Sequence, residues 1–255
     1  MSEDDRSESR QALADRIREE HRHGTGRSKL GFKVLVVVIA VVAVAAALWV
    51  QFASPDDESD EATAPRNSTE GYGFVHSASE DADPPITVTI YEDFLCDSCQ
   101  LFHEEAGEYL EAQVAAGAIA VEYRPISFLV NASTDEYSQR AANAAACVAD
   151  LSGVEAFINM HDLLLDHQPE HGGAGLSDDE LIDFAAQAGA DDAASCITDR
   201  TFDDWVSQTL DAAIAEEVTS TPTIRVNGLT ILRSVNGKEV MPGLEELQYA
   251  IERAG

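Results

Sequence analysis

The sequence predicts an α/β domain with a mixed sheet, a block of helices inserted between its two halves, and one membrane-spanning helix ahead of it. Three observations predict this. Val34 to Phe52 is a nineteen-residue run with a single polar member, Gln51. From about Gly71 onward the apolar pattern reads strand, helix, strand, four or so helices, hairpin, helix. Cys96-Asp97-Ser98-Cys99 sits where the first strand hands over to the first helix, and Thr221-Pro222-Thr223 precedes the hairpin more than a hundred residues later.

At about 1.5 Å of rise per residue, the 34–52 run is just long enough to cross a hydrocarbon core of about 30 Å. Arg22, Arg27, Lys29 and Lys33 lie on its N-terminal side, and Asp56, Asp57, Glu58, Asp60 and Glu61 on the other. The positive-inside rule then leaves residues 1–33 as a cytoplasmic tail and carries the remainder across the plasma membrane as a single-pass protein. A cleaved signal peptide is the competing reading. The long charged leader and the lack of a small-x-small cleavage site after the run weigh against it. Residues 53–70 are acidic and rich in Ser, Thr, Pro and Asp, which describes an extended linker.

Ile86 to Tyr91 alternates Thr with Ile and Val, a strand pattern. Asp97 to Ala116 places Leu101, Phe102, Tyr109, Leu110 and Val114 at helical spacing, and Ile119 to Pro125 reads as a second strand. Helices follow at 136–149, 154–166, 177–188 and 202–217, an insertion spanning about 134–217. Ser177 and Glu180 form a capping-box pair, and Gly189 is placed as a helix stop. Thr223 to Val226, the Asn227-Gly228 turn and Leu229 to Leu232 read as a hairpin. A last helix runs from about Gly243 to Arg253, so the folded domain is 71–255.

The formal charge is −31, and it is uneven. Residues 1–33 hold eight basic and seven acidic side chains, whereas 53–255 hold eight and forty, with Lys238 as the sole lysine there. Such a surface repels phosphate, so nucleic acid is excluded as a partner. The four cysteines lack the second close pair that a zinc site would need. Two cysteines at i and i+3 in the first turn of a helix, where backbone N–H groups and the helix dipole favour a thiolate, instead suit thiol–disulfide exchange. Cys96 is the attacking sulfur and Cys99 the resolving one.

The run Tyr91-Glu92-Asp93-Phe94-Leu95-Cys96-Asp97-Ser98-Cys99, the inserted helices and Ser220-Thr221-Pro222-Thr223 together resemble the membrane-anchored, DsbA-like thiol–disulfide oxidoreductases of actinobacteria. These belong to the thioredoxin superfamily, and the resemblance covers about 71–255. It implies a thioredoxin-like fold and a cis Pro222 beside the disulfide, with Thr221 preceding it and both meeting the client. It also implies a structural bridge between Cys147 and Cys196; two buried free thiols are the alternative. The implied clients are exported proteins with cysteines. The implied electron partner is a quinone-linked membrane enzyme, and no cofactor is expected. The closest rival is a reductase or isomerase on the same scaffold, and a non-catalytic binding module is the reading from another class.

Two departures from the family pattern concern the thiolate. Asp97 stands where proline is frequent, and its carboxylate beside Cys96 disfavours a second negative charge; Ser98, the third motif position, brings no charge. This predicts a moderate oxidant. Ile90 stands where many relatives bury an acid six residues before the first cysteine. Glu92 or Asp93 could relay a proton to Cys99, but the plainer reading has both ending the strand and bonding the turn. His161, His167 and His171 read as a solvated helix end, with no metal site expected, and His103 as too far from Cys96 to tune it.

Overall fold

A computed structural model describes residues 62–79 and 84–255. The predicted tail, the membrane span and residues 53–61 of the linker lie outside the described residues. Five strands, β1 (Phe74–His76), β2 (Thr87–Glu92), β3 (Ala120–Pro125), β4 (Thr223–Val226) and β5 (Leu229–Thr230), form one sheet in the order β1-β3-β2-β4-β5. Strands β2 and β3 run parallel and every other pairing is antiparallel. The helices are α1 (Asp97–Ala115), α2 (Tyr137–Asp166), α3 (Asp178–Gln187), α4 (Ala194–Thr198), α5 (Asp203–Ala215) and α6 (Leu244–Ala254).

Strand β2 is central and is covered on both faces. Val88, Ile90 and Tyr91 are all buried, and the strand is flanked by β3 and β4. Parallel pairing with β3 requires a crossover, which α1 supplies. Its buried residues, Cys99, Phe102, Ala106, Leu110 and Val114, recur every three or four positions and form one stripe against the sheet. Cys99 thus sits on the core stripe, while Cys96 is the N-cap with extended backbone angles.

The insertion is organised by α2. Ala141, Ala142, Ala144, Ala145, Ala146 and Ala149 are all buried, and their small side chains let neighbouring elements approach closely. This helix is long and apolar enough to cross a membrane by composition, yet most of it is buried inside the fold. The sequence predicts a break between 149 and 154. The structure has it as a kink at Gly153, with φ 86° and ψ −179°, a conformation that L side chains rarely adopt. Arg140, almost fully buried, donates to the carbonyls of Asp135, Ala174 and Leu176 and meets Asp178, so one guanidinium closes the loop ahead of α3. The predicted capping box is present: Ser177 Oγ accepts from the Glu180 N–H at 3.3 Å, and Glu180 accepts from the Ser177 N–H at 2.8 Å. Cys147 on α2 is bonded to Cys196 on α4.

Several expectations shift. Residues 62–70 fold with the domain: Arg66 holds Asp150 with two side-chain hydrogen bonds of 3.0–3.1 Å, Asn67 donates to the Ala149 carbonyl, and Ser68 bridges to Phe74. The folded part therefore starts ahead of Gly71, because specific contacts outweigh the polar composition. The Asn227-Gly228 turn forms with positive φ at both residues, but β5 stops at Thr230. Strand β1 and a two-stranded unit, β6 (Arg233–Val235) with β7 (Lys238–Val240), were not predicted. The second hairpin has its own Asn236-Gly237 turn, again with positive φ at both positions.

The bridge between Cys147 and Cys196 spans 49 positions. Its removal in a Cys147→Ala/Cys196→Ala variant should lower stability by about 4 kcal/mol in the chain-entropy treatment. Urea unfolding reads this as a lower midpoint.

Candidate active site

The turn between β2 and α1 decides where the sulfurs lie. Asp93, fully buried, accepts from the Leu95 N–H at 2.8 Å and the Leu129 N–H at 2.7 Å, and its own carbonyl accepts from the Cys96 N–H at 2.9 Å. The insertion grips the same turn. Gln168 donates to the Phe94 carbonyl at 3.1 Å, His171 Nε2 lies 2.7 Å from the Leu95 carbonyl, and Gln100 donates back to the Leu165 carbonyl at 3.0 Å. Every polar atom of this dry turn that is named here has a partner, which buried backbone requires. Burial pushes the Asp93 carboxyl up, and the bonds from Leu129 and Leu95 pull it part of the way back.

Cys96 and Cys99 are both thiols in this structure. Cys96 Sγ lies 3.3 Å from the Thr221 carbonyl, and the Thr221-Pro222 bond is cis. The structure therefore brings Thr221 and Pro222 to the redox pair across 125 residues of sequence. The segment leading there is fixed on its far side. Glu216, at the end of α5, accepts from Arg124 Nη1 at 3.1 Å and also bonds Arg225 and the Tyr91 hydroxyl. The two guanidinium groups lie 5.2 and 4.9 Å from the Tyr91 ring centre.

The two sulfurs differ in acidity. The Cys96 thiol is lowered to about 6. The main cause is a hydrogen bond from Cys99; burial opposes it, while Thr221 and the backbone N–H groups of Cys99 and Ser98 assist. Cys99 is pushed well above its ordinary value by burial, by its bond to Cys96 and by the negative charges of Cys96 and Glu92. This split gives Cys96 the thiolate and leaves the proton on Cys99. Asp97 points into solvent, with 83% of its side chain exposed, and lies 3.4 Å from His171 Nε2. Water screens its charge, and the leading influences on the acidity of Cys96 come from other groups. Ser98 acts there through its backbone N–H rather than its hydroxyl.

Sequence reasoning placed Glu92 and His161 wrongly, whereas His167 and His171 are exposed at the helix end as expected. Asp93 bonds the turn as expected, but Glu92 does not. Its carboxylate is buried and forms an ion pair with His161 Nε2 at 3.0 Å, the side chains being 4% and 2% exposed. Glu92 shares the sheet face of Ile90, two residues along, so an acid does lie near Cys99, from a position four residues before Cys96. His161 is no solvated helix end: Tyr123, Phe94 and His103 surround its ring. Burial opposes its charge, yet the carboxylates of Glu92 and Asp162 raise it to about 10. The signal was available in the period of α2, since His161, Leu164 and Leu165 are buried together with Phe157.

Two measurements check these assignments. The thiolate absorbance of Cys96 should titrate near 6, and Cys99→Ala should move it upward toward an ordinary thiol; an unchanged titration would refute the role given to Cys99. His161 titrates near 6.5 when unfolded and near 10 when folded. A raised histidine stabilises fully below its unfolded value, and that contribution is lost as pH rises through its folded value. With Cys96–Cys99 oxidised and a chelator present, urea stability should therefore fall between about pH 6.5 and 10. Glu92→Gln should flatten that fall.

Comparison with known proteins agrees with this geometry. A family model described as thioredoxin matches residues 79–252. The reduced disulfide oxidoreductase DsbG of Mycobacterium tuberculosis superposes with a TM-score of 0.62 at 31% identity, over 73% of this chain and 89% of that one. Reduced DsbA of the same organism gives 0.58 at 32%, over 72% of this chain and all of that one. A curated relative, the Na(+)/H(+) antiporter NhaA 3 of Salinispora tropica, is 32% identical over 152 residues. The match spans 57% of this chain but only 21% of that protein, so the whole antiporter's activity is not carried over. The chain belongs to the thioredoxin superfamily, among its DsbA-like thiol–disulfide oxidoreductases.

Proposed function

We propose that the protein works outside the cytoplasm, held by residues 34–52 as a single-pass anchor, and transfers the Cys96–Cys99 disulfide to exported proteins with cysteines. The observation that supports this most is the unequal acidity of the two sulfurs beside Thr221 and Pro222. In the oxidising direction a client thiolate attacks Cys96 Sγ, the Cys96–Cys99 bond breaks, and Cys99 leaves and takes up a proton. A second client thiolate then attacks the client sulfur of the mixed disulfide, and Cys96 leaves as a thiolate. The client loses two electrons and the protein gains them, and a quinone-linked membrane enzyme removes them again.

Cys96 is a good leaving group because its thiolate is stabilised, and the client segment can pair with the Thr221 backbone at the start of β4. At pH 7 a thiol near 6 in place of one near 8.5 favours the dithiol by on the order of 1.4 kcal/mol, or ~30 mV toward oxidising. That supports oxidation over reduction or isomerisation, with moderate strength. The bridge between Cys147 and Cys196 supports an oxidising compartment.

The oxidised protein should transfer one disulfide per chain to reduced, unfolded ribonuclease, and Cys96→Ser should lose more than a hundredfold in rate. Reduction of insulin without transfer to ribonuclease would favour the reductase reading. Equal rates for wild type and Cys96→Ser would overturn the proposal.

A further inference from the structure

Helices α1 and α2 bring together a set of side chains that thiol exchange does not use. His103 on α1 faces His161, Asp162 and Asp166 on α2. The two imidazole rings meet edge to face with centres 5.3 Å apart. His103 Nε2 is 3.9 Å from a carboxylate oxygen of Asp162 and 3.9 Å from one of Asp166. His161 Nδ1 is 2.9 Å from the same Asp162 oxygen. One donor atom from each of His103, His161 and Asp162 lies within 4.8 Å of the others. A surface pocket of about 270 Å³, walled by His103, Asp162, Asp166 and Glu108, opens onto the group.

Zinc bound tetrahedrally at about 2.0–2.1 Å holds its ligands roughly 3.3 Å apart, between the separations seen here. Small side-chain rotations close the difference, and Asp166, 60% exposed, is free to turn. The second observation lies behind the cluster. His161 is buried, and its inner nitrogen, Nε2, is ion-paired with Glu92 Oε1 at 3.0 Å, while neither atom has an aligned hydrogen bond among the described residues. A metal-ligating histidine is usually backed by a carboxylate at its other ring nitrogen, which fixes the tautomer and the ring. Glu92 then holds the Nε2 proton, and it is the Nδ1 proton, shared with Asp162 at 2.9 Å, that an incoming ion replaces. Two histidines, two carboxylates and a carboxylate-backed ring suit a borderline ion better than calcium or magnesium, which take oxygen ligands.

We propose that His103, His161 and Asp162, with Asp166 in reach as a fourth ligand, form a binding site for a divalent transition ion of the zinc class. Binding displaces one proton from His161 Nδ1. The ion ties α1, which carries the redox pair, to α2 of the insertion, and it lies one buried carboxylate away from Cys99. The proposal does not depend on the thiol chemistry, because no sulfur is a ligand.

The test uses the full chain with Cys96–Cys99 oxidised, so that every cysteine is in a disulfide. It is titrated with Zn²⁺ by calorimetry and with Co²⁺ by visible absorption. One ion should bind per chain, and Zn²⁺ should displace Co²⁺. His103→Ala should weaken binding at least tenfold, and the more exposed Asp166→Asn should weaken it severalfold. His167→Ala, exposed and outside the cluster, should leave it unchanged. Absence of saturable one-to-one binding, binding by His103→Ala equal to wild type, or an equal loss in His167→Ala would overturn the site. An oxidised protein that transfers disulfides but binds no ion would refute this site while sparing the proposed function.

Discussion

The grip on the turn between β2 and α1 is the constraint on which the active site rests. Asp93 holds that turn from inside with its two carboxylate oxygens, and Gln168 and His171 hold it from the insertion. A helix N-terminus lowers a thiol only if the sulfur stays at its tip, where unsatisfied N–H groups converge. The buried turn keeps Cys96 there, in reach of Thr221, and keeps Cys99 on the core side of the same helical turn. Without this hold the two sulfurs would see similar surroundings, and the difference in acidity that drives exchange would shrink.

The insertion therefore does more than enlarge the domain. Its long central helix, α2, carries the Ala-rich stretch that fills the core and the bridge to Cys196, and the segment following it supplies the two side chains on the turn. At the other end of the insertion, Glu216 is fixed by Arg124, Arg225 and Tyr91, which sets the approach to the cis Thr221-Pro222 bond. Both halves of the site are thus positioned by contacts with elements that interrupt the sheet in sequence. Beneath them, Glu92 and His161 neutralise each other in a space too dry for either to stand alone.

Much of this was legible in the sequence. The alternation of Thr with Ile and Val gave β2, and the Asn227-Gly228 pair gave the turn after β4. The spacing of Phe102, Leu110 and Val114 gave α1. Position in that order, rather than the four-residue motif alone, identified the redox pair. What escaped depends on which side chains meet across distant elements. Period-two reading puts Glu92 on one face of β2 but does not reveal that His161, 69 positions later, lies opposite. Asp97 looked decisive because it adjoins Cys96, yet a side chain pointing into water has little electrostatic reach. Strand β1 is three residues long, too short for a period to show, whereas the Asn236-Gly237 turn was an available signal for β6 and β7.

The central claim is that one sulfur meets the client and the other stays behind it. The most direct measurement is mass-spectrometric mapping of the mixed disulfide formed with a single-cysteine peptide. Cys99→Ala should accumulate the adduct on Cys96, and Cys96→Ala should form almost none on Cys99. Equal trapping at Cys99 would contradict the account.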